Sequence, residues 1–426
     1  MVVVPPQDPW AQVAEVVRLI RGGEAQTRPE LADVTRLGRN VISQRVQAAH
    51  DLGLVRPSGD MRSRGGRAAD VWEFCGDAGH VLVGLIGTTR FTVALAGLNG
   101  DVLDEVVVDW KVAEGPEASS RRIAQEMRAL LAAHEVDHPW GIGIALPAPI
   151  EFTTGRSADP VAPSSMNYRW PVDFDIRQWF IEEFRTPTFT DSVIHMVTLG
   201  AAAAPDAPDD LVYVRIGTGL GAGLVSGGRI HRGATWVAGE LNHVTMSDDP
   251  RRICPCGRVG CLETYCSGWA MIADAQRIAA SGASPYLAKI AATRELELDD
   301  LGAGVDFGDA ACVEVVAGAA DMLGRALATV ITLFNPARVT IGGFPISHNG
   351  LLQRVVERAI RTHTLAASIA GLEIVPGDPE QREGIHGAAE LVVDALLAPE
   401  SLATWGPLGS PVGVPELLEG PQQPGS

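Results

Sequence analysis

The sequence predicts an α/β protein in two parts, a small N-terminal unit of three helices and a hairpin followed by a larger body of two similar α/β halves. Three observations predict it. Apolar residues recur with helical spacing through the first fifty positions, with turn residues between the runs. From His80 onward, short apolar strand runs alternate with amphipathic helical runs, the pattern of an α/β fold. The strand, glycine loop and strand that open this region return in the second half of the chain, as an internal duplication would produce.

The first helix is read from Trp10, Val13, Val17 and Ile20, and Gly22-Gly23 ends it. Thr27 and Glu30 form a Thr-x-x-Glu capping box with Pro29 in the first turn, which starts a short second helix carrying Leu31 and Val34. Leu37-Gly38 makes the turn. A third helix opens near Asn40 as N-cap, buries Ile42, Val46, Ala49 and Leu52 on one face, and stops at Gly53. Its other face shows Ser43, Gln44 and Gln47. Leu54-Val55 and Val71-Trp72-Glu73-Phe74 read as two strands joined by a loop holding Arg62, Arg64 and Arg67.

With 426 residues and 46% hydrophobic content, the chain can bury a large core, and its length favours two or three domains. No apolar run reaches the roughly 18 residues of a membrane helix, and the Met-Val-Val-Val-Pro-Pro start lacks the basic flank and apolar core of a signal peptide. A cytoplasmic location with no membrane partner is expected, and there thiols stay reduced. The formal net charge of −18 argues against the whole molecule lying on nucleic acid. Its distribution differs locally, because from Arg36 to Arg67 seven arginines face two aspartates, a surplus of five positive charges. A polar, uncharged helix face flanked by Arg39 and Arg45 suits a helix that reads base edges while arginines hold phosphates. A hairpin rich in arginine suits backbone or minor-groove contact. Residues 1–75 therefore read as a winged helix-turn-helix with Arg39, Asn40, Ser43, Gln44, Gln47, Arg62, Arg64 and Arg67 as its DNA-binding residues.

In the body, strands are read at Val81 to Ile86, Phe91 to Leu98, Val102 to Val108 and Gly141 to Leu146, with a helix through 117–134. Leu211 to Ile216, the loop Gly217-Thr218-Gly219-Leu220-Gly221 and the strand Gly223 to Ile230 echo the first hairpin. A long helix to Phe334, the strand Val339 to Ile341, a helix from Leu351 to Arg361 and a last helix through Leu396 follow. The two halves span 79–200 and 201–397. Residues 398–426 are rich in proline and glycine without a sustained period and are expected to form a flexible tail.

The densest chemistry lies between Glu240 and Glu263. Cys254, Cys256 and Cys261, with His243 eleven residues upstream, supply three sulfurs and one nitrogen, a closed tetrahedral shell for a structural zinc ion. Four of the six cysteines fall within thirteen residues, which argues against unrelated thiols. Cys266 is a rival fourth ligand.

The run Glu240-Leu-Asn-His243, the three cysteines and Gly260-Cys261-Leu-Glu263 together resemble the zinc and sugar signature of the ROK family, named for repressors, open reading frames and sugar kinases. The resemblance extends to about residue 397 and implies a two-lobed actin-like, sugar-kinase-like ATPase fold with a cleft between the lobes. It implies that Glu240 and Glu263 hydrogen-bond sugar hydroxyls and that His243 touches both sugar and metal. Asn242 stands where the family usually has glycine, adding volume beside the sugar. Phe189-Thr190-Asp191-Ser192 is similar to the element whose Asp takes the sugar hydroxyl proton in the kinases, with Thr190 replacing an asparagine. Asn167, three residues before Trp170, resembles the family's Asn-x-x-Trp sugar contact.

Gly217, Thr218, Gly219 and Gly221 resemble the second phosphate loop of ROK kinases. The first loop departs from the kinase pattern Asp-x-Gly-Gly-Thr-Lys and reads Leu85-Ile86-Gly87-Thr88-Thr89-Arg90. A leucine cannot help hold magnesium, and Thr88 puts a branched side chain where glycine lets the backbone approach a nucleotide. This argues against ATP and Mg²⁺ as cofactors and against enzymatic activity, leaving Asp191 catalytic only if the chain is a kinase. A helix-turn-helix unit precedes the sugar domain in ROK repressors and is absent from ROK kinases. The expected protein is a sugar-responsive transcriptional regulator, a repressor, with operator DNA and a sugar or sugar derivative as partners, structural zinc, and a homodimer or higher homo-oligomer as its assembly. The alternative is an ATP-dependent hexose kinase with an appended DNA-binding domain, and a third reading is a zinc-stabilised binding module that has lost both ligands.

Overall fold

The computed structural model describes residues 8–62, 69–158, 174–343, 350–378, 380 and 382–419. Helix α1 (Pro9–Arg21) is capped by the Asp8 carboxylate, which accepts from the Trp10 and Ala11 amides, and it buries Val13, Val16, Val17, Leu19 and Ile20. Helix α2 (Arg28–Thr35) begins on the expected capping box, with the Thr27 hydroxyl accepting from the Glu30 amide and the Glu30 carboxylate accepting from the Thr27 amide. Leu31 is buried, whereas Val34 faces solvent.

Helix α3 (Arg39–Asp51) differs from expectation at its start. Gly38 takes the N-cap in an extended conformation with no side-chain cap, and Asn40 lies inside the first turn, exposed. Ile42, Val46 and Ala49 are buried, but Leu52, at the C-cap, is only partly covered. Strands β1 (Val55–Arg62) and β2 (Ala69–Phe74) then pair antiparallel.

The first half of the body follows: β3 (His80–Ile86), β4 (Arg90–Gly97), β5 (Val102–Asp109), α4 (Pro116–Ala133), β6 (Gly141–Leu146), the short pair β7 (Ile150–Glu151) and β8 (Arg156–Ser157), α5 (Ile176–Phe184), β9 (Thr188–Ser192) and α6 (Val193–Ala202). The sheet order is β5-β4-β3-β6-β9, antiparallel across the first three strands and parallel from β3 to β9. Sequence explains the placement. Every residue of β6 is buried, as a strand covered on both faces requires, whereas β5 alternates and sits at the edge.

The second half comprises β10 (Leu211–Ile216), β11 (Leu220–Ser226), β12 (Arg229–Ile230), α7 (Glu263–Cys266), α8 (Gly268–Ser281), α9 (Pro285–Ala291), α10 (Leu298–Phe307), α11 (Ala310–Phe334), β13 (Arg338–Gly343), α12 (Leu351–His363), β14 (Glu373–Pro376) and α13 (Glu383–Leu397). Its sheet order, β12-β11-β10-β13-β14, repeats the first in both sequence and direction. The strand expected over 223–230 is broken in two by Gly227 and Gly228, both at positive φ.

The helices that end the two halves exchange partners. Helix α6 packs on β10 and β11, α13 packs on β3 and β6, and the two helices cross against each other. The crossing depends on two glycines, since a Cβ on Gly200 would lie 1.9 Å from the Glu383 carbonyl oxygen and one on Gly387 would lie 1.8 Å from that of Met196. No side chain fits between the backbones there.

Two expectations are corrected. Residues beyond 398 were expected to lack order, yet α14 (Pro399–Trp405) forms and buries Leu402 and Trp405 completely. The Trp405 indole stands edge-on to Trp140 and donates to the Leu396 carbonyl at 2.8 Å. Isolated apolar residues in a Pro/Gly-rich segment carry no period, so only tertiary packing reveals this element. It lies against α1, and one continuous core runs from Val13 and Val17 through Trp405 to Val392 and Val83. The N-terminal unit is thus packed onto the first half, with Arg21 paired to Glu390 and Asp394 of α13. Second, among the described residues one helix is long and apolar enough to cross a membrane by length and composition, α11. Its Val316, Ala320, Leu323, Leu327 and Ile331 are instead buried in the core of the second half.

Candidate functional site

The Cys/His cluster is built by a turn-rich segment that folds back on itself through backbone bonds from Cys254 N to Arg258 O and from Gly260 N to Arg252 O. One ligand atom each from His243, Cys254, Cys256 and Cys261 lies within 4.8 Å of all the others. The Cys256 and Cys261 sulfurs are 3.7 Å apart, and the Cys254 sulfur is 3.6 Å from His243 Nδ1. A tetrahedral zinc with Zn–S bonds of about 2.3 Å needs sulfur–sulfur edges of about 3.8 Å, so both donor set and spacing fit. Cys266 points elsewhere, fully buried with its sulfur on the Ala319 carbonyl at 3.2 Å. The rival fourth ligand is therefore excluded in favour of His243.

His243 uses its other ring nitrogen differently. Nε2 is 3.9 Å from the Glu240 carboxylate, so a metal on Nδ1 would fix the ring that faces Glu240. Glu240 is about one-third exposed, at 36%. Glu263 is buried, and both its oxygens are used within the protein: Oε2 accepts from the Leu220 amide at 3.0 Å and Oε1 from the Trp269 indole at 2.8 Å. It ties the Gly217–Gly221 loop to α8. That loop turns through a bond from Gly217 N to Gly219 O, and its Gly217 and Thr218 carbonyls accept from the first amides of α8.

The loop at Gly87 touches its counterpart directly, since the Thr88 and Thr218 hydroxyls are 3.1 Å apart. Leu85 packs towards Gly384 at the start of α13. A hydroxyl–hydroxyl bridge thus joins the two loops, and an apolar side chain stands where the kinase pattern has a carboxylate.

Asp191 is the penultimate residue of β9 and is fully buried. Oδ1 accepts from the Ser192 amide at 2.7 Å and pairs with His195 Nδ1 at 2.6 Å, while Oδ2 accepts from Arg232 Nε at 2.9 Å and Nη2 at 2.7 Å. Burial pushes its carboxyl up, but the neighbouring His195 and Arg232 charges with their hydrogen bonds outweigh this and hold it below the usual carboxylate range. A base so stabilised is a poor proton acceptor. Thr190, beside it, is buried. Arg232 was not anticipated from sequence, nor was Phe152, over whose ring the guanidinium lies at 4.4 Å, nor Trp236, whose ring lies 6.3 Å from that of Phe152. Their only sequence signal is that Arg232 and Trp236 shortly precede Glu240.

On the N-terminal unit, Arg39, Asn40, Ser43, Gln44 and Gln47 are all exposed along α3. The Gln47 amide donates to Asp51 at 2.7 Å. Arg45, expected to hold phosphate, instead donates to Gln12 of α1 at 2.9 Å, because its position on α3 faces the neighbouring helix. Arg62 reaches Gln26 at 3.3 Å and Glu30 at 3.5 Å. Asn167, Arg64 and Arg67 lie outside the described residues.

The family model of the ROK family matches residues 83–395. The chain belongs to the ROK family. A xylose repressor of Caldicellulosiruptor bescii is 24% identical over 389 residues, covering 90% of this chain and 95% of the relative. A glucokinase of Halalkalibacterium halodurans is 27% identical over 316 residues, covering 72% of this chain and 93% of the relative. Among solved structures, a ROK family transcriptional regulator described as a homolog of the E. coli MLC protein superposes with a TM-score of 0.78 at 24% identity, covering 97% of this chain and 100% of that one. The fold is thus that of the two-lobed ROK proteins.

Proposed function

We propose that this ROK protein is a sugar-responsive transcriptional regulator, a repressor, that binds operator DNA through residues 1–75 and a neutral sugar or sugar derivative in the cleft between residues 79–200 and 201–397. The observation that carries the reading is the outer face of α3, where Arg39, Asn40, Ser43, Gln44 and Gln47 are exposed while Ile42, Val46 and Ala49 are buried beneath them. Such a face offers donors and acceptors to base edges with cations beside them, and β1 and β2 supply the wing. The match of a repressor relative over 90% of the chain, against 72% for the glucokinase, supports it.

Sugar contacts centre on Glu240 and His243, with Asp191 behind them. His243, Cys254, Cys256 and Cys261 would hold a structural zinc ion, which would fix the imidazole in its orientation, and the chain's own residues do the sugar binding. Helix α13 links the sites. Near its start Glu383 accepts from the Tyr213 hydroxyl of the second half at 3.0 Å, and further along it Asp394 holds Arg21 of α1 at 2.8 Å. Cleft closure that shifts one half on the other moves α13, and with it the DNA-reading unit. Two copies paired as a dimer in the cytoplasm would meet two half-sites.

The retained Gly217–Gly221 loop favours the hexose-kinase alternative, and the Thr88–Thr218 bridge with the Arg232-held Asp191 opposes it. Selection of bound sequences from random DNA, followed by footprinting with and without sugars, tests the regulator reading. A recovered operator whose occupancy changes with one sugar is expected, and a purified protein with no salt-dependent DNA binding would end it.

A further inference from the structure

A carboxylate has about four acceptor positions, and on Asp191 four donors already occupy them: the Ser192 amide, His195 Nδ1, and Nε and Nη2 of Arg232. Asp191 has no exposed surface. A sugar hydroxyl cannot reach it while all four remain. Ser192 and His195 cannot leave easily, since the first follows Asp191 in the chain and the second sits on α6 with 2% of its side chain exposed. Arg232 can. It lies outside the regular elements, between β12 and Glu240, and its side chain is the more exposed partner at 16% against 0% for Asp191.

The surroundings of Arg232 are built to hold it in place without bonding it covalently to the core. Its guanidinium lies over the Phe152 ring at 4.4 Å, and Trp236 packs beside Phe152 with ring centres 6.3 Å apart. The same segment stores strain. Trp236 adopts φ +67, a left-handed conformation that a bulky side chain takes only when its surroundings impose it, and such residues cluster at ligand clamps and switches.

We propose that Arg232 is a displaceable guard on Asp191, held by the Phe152–Trp236 pair, and that the effector is a neutral sugar whose hydroxyls compete with the guanidinium for the Asp191 carboxylate. This deepens the sugar-responsive reading and rests on it. A neutral sugar is favoured over an acidic one because Asp191 and Glu240 would both repel a ligand anion. With the guard in place only a fraction of molecules can accept the sugar, so the apparent affinity is reduced by that fraction. When the guard leaves, the segment carrying Trp236 relaxes beside Glu240, and Asp191 Oδ2, released by the guanidinium while Oδ1 stays with His195 and Ser192, takes the hydroxyl hydrogen bonds instead.

The test is calorimetry of the full-length wild type, Arg232→Met and Phe152→Leu against D-xylose, D-glucose and N-acetyl-D-glucosamine, with operator binding measured on each protein. Methionine keeps an apolar stem on Phe152 and removes the donors. Arg232→Met is expected to bind whichever sugar the wild type binds on the order of tenfold more tightly. Phe152→Leu, which leaves the arginine but loosens its support, should shift affinity the same way by less and serves if Arg232→Met does not fold. Indole emission gives an independent readout: sugar should change it in the wild type, and the change should be lost in Trp236→Phe. Weaker or unchanged sugar binding in both Arg232→Met and Phe152→Leu overturns the guard and would mean that Arg232 itself contacts sugar or stands aside. If no protein binds any of the three sugars while all bind DNA, the sugar-responsive reading falls and the guard with it.

Discussion

Strands β3 and β4 meet at the turn around Gly87, β10 and β11 meet at the turn around Gly217, and each pair forms a continuous antiparallel ladder whose first strand also pairs in parallel with a neighbour. The two turns have diverged within that shared frame. At the second, glycines persist, the Leu220 amide is fixed by Glu263, and the first amides of α8 close on the loop carbonyls. At the first, Leu85 packs towards α13 and Thr88 reaches across to Thr218. The ladders, not the turn residues, hold the hairpins, so the turn chemistry of one half can change while the fold persists. What the first half has gained instead is mechanical: α13, α14 and α1 are all packed against it or one another, whereas the second half carries the Cys/His cluster.

Breaking the cluster should have the largest effect. Apparent binding energies of structural zinc run to about 10–16 kcal/mol, so Cys256→Ser should lower zinc from one ion per chain to near none and remove the sugar response. Elemental analysis reads this directly, and an unchanged zinc content would reject the site. Cys266→Ser, with its sulfur on the Ala319 carbonyl, should keep its zinc.

The first half should respond instead to loss of its packing. Trp405→Ala removes a fully buried indole from the junction of α14 with Trp140 and the Leu396 carbonyl, and should cost about 3 to 5 kcal/mol in denaturant unfolding. A loss below about 0.5 kcal/mol, the range of ordinary surface changes, would mean that α14 does not anchor this half.

This contrast also separates what the sequence discloses from what it hides. His243, Cys254, Cys256 and Cys261 are close in the chain and chemically distinctive, so their meeting could be read from spacing with only Cys266 left as a rival for the fourth place, and the Thr27–Glu30 capping box and the bounds of β6 and β10 could be read as well. Trp405 meets Trp140 across most of the chain, and Arg232 meets Asp191 from the other half of the body, 41 residues away; nothing local encodes either partner. Arg45 counted as a DNA-facing cation on charge alone, and only the position of α1 shows that it turns inward to Gln12. Glu263 matched a sugar-binding motif, and only the fold shows that its oxygens serve Leu220 and Trp269.

Glu240 and Glu263 offer a sharper comparison within the second half. Glu240→Ala should weaken sugar binding about tenfold or more, the equivalent of one charge-assisted hydrogen bond, and leave operator affinity without sugar intact. Glu263→Ala should instead lower thermal stability, because it leaves the buried Leu220 amide and Trp269 indole without their acceptor. Equal loss of DNA and sugar binding in Glu240→Ala would make it a folding residue too.

The first residue of α3 and its middle should divide DNA recognition in a comparable way, with smaller effects. Gln44→Ala should cost about 1 to 3 kcal/mol at the selected operator and little on unrelated DNA. Arg39→Ala should weaken both, reducing the slope of log affinity against log salt by about 0.9 if it neutralises one phosphate. A salt slope unchanged in Arg39→Ala would remove that arginine from the phosphate contacts.

The smallest expected effect is none, and it tests the comparison of the two turns most directly. Leu85→Asp restores to the first turn the carboxylate that the kinase pattern has there, and if that turn alone had silenced the chemistry, hexose phosphorylation from ATP and Mg²⁺ should appear. It should not. Phosphoryl transfer also needs a base for the attacking hydroxyl, and Asp191 is buried, held below the usual carboxylate range, and keeps its pairing with His195 even when a sugar displaces Arg232. The Thr88–Thr218 bridge still ties the two turns together. A coupled assay on Leu85→Asp should therefore stay at the level of the wild type. Turnover that appears with Leu85→Asp and disappears when Asp191→Asn is added would show that one residue in the first turn had been the whole barrier, and that Arg232 leaves Asp191 free to act as a base.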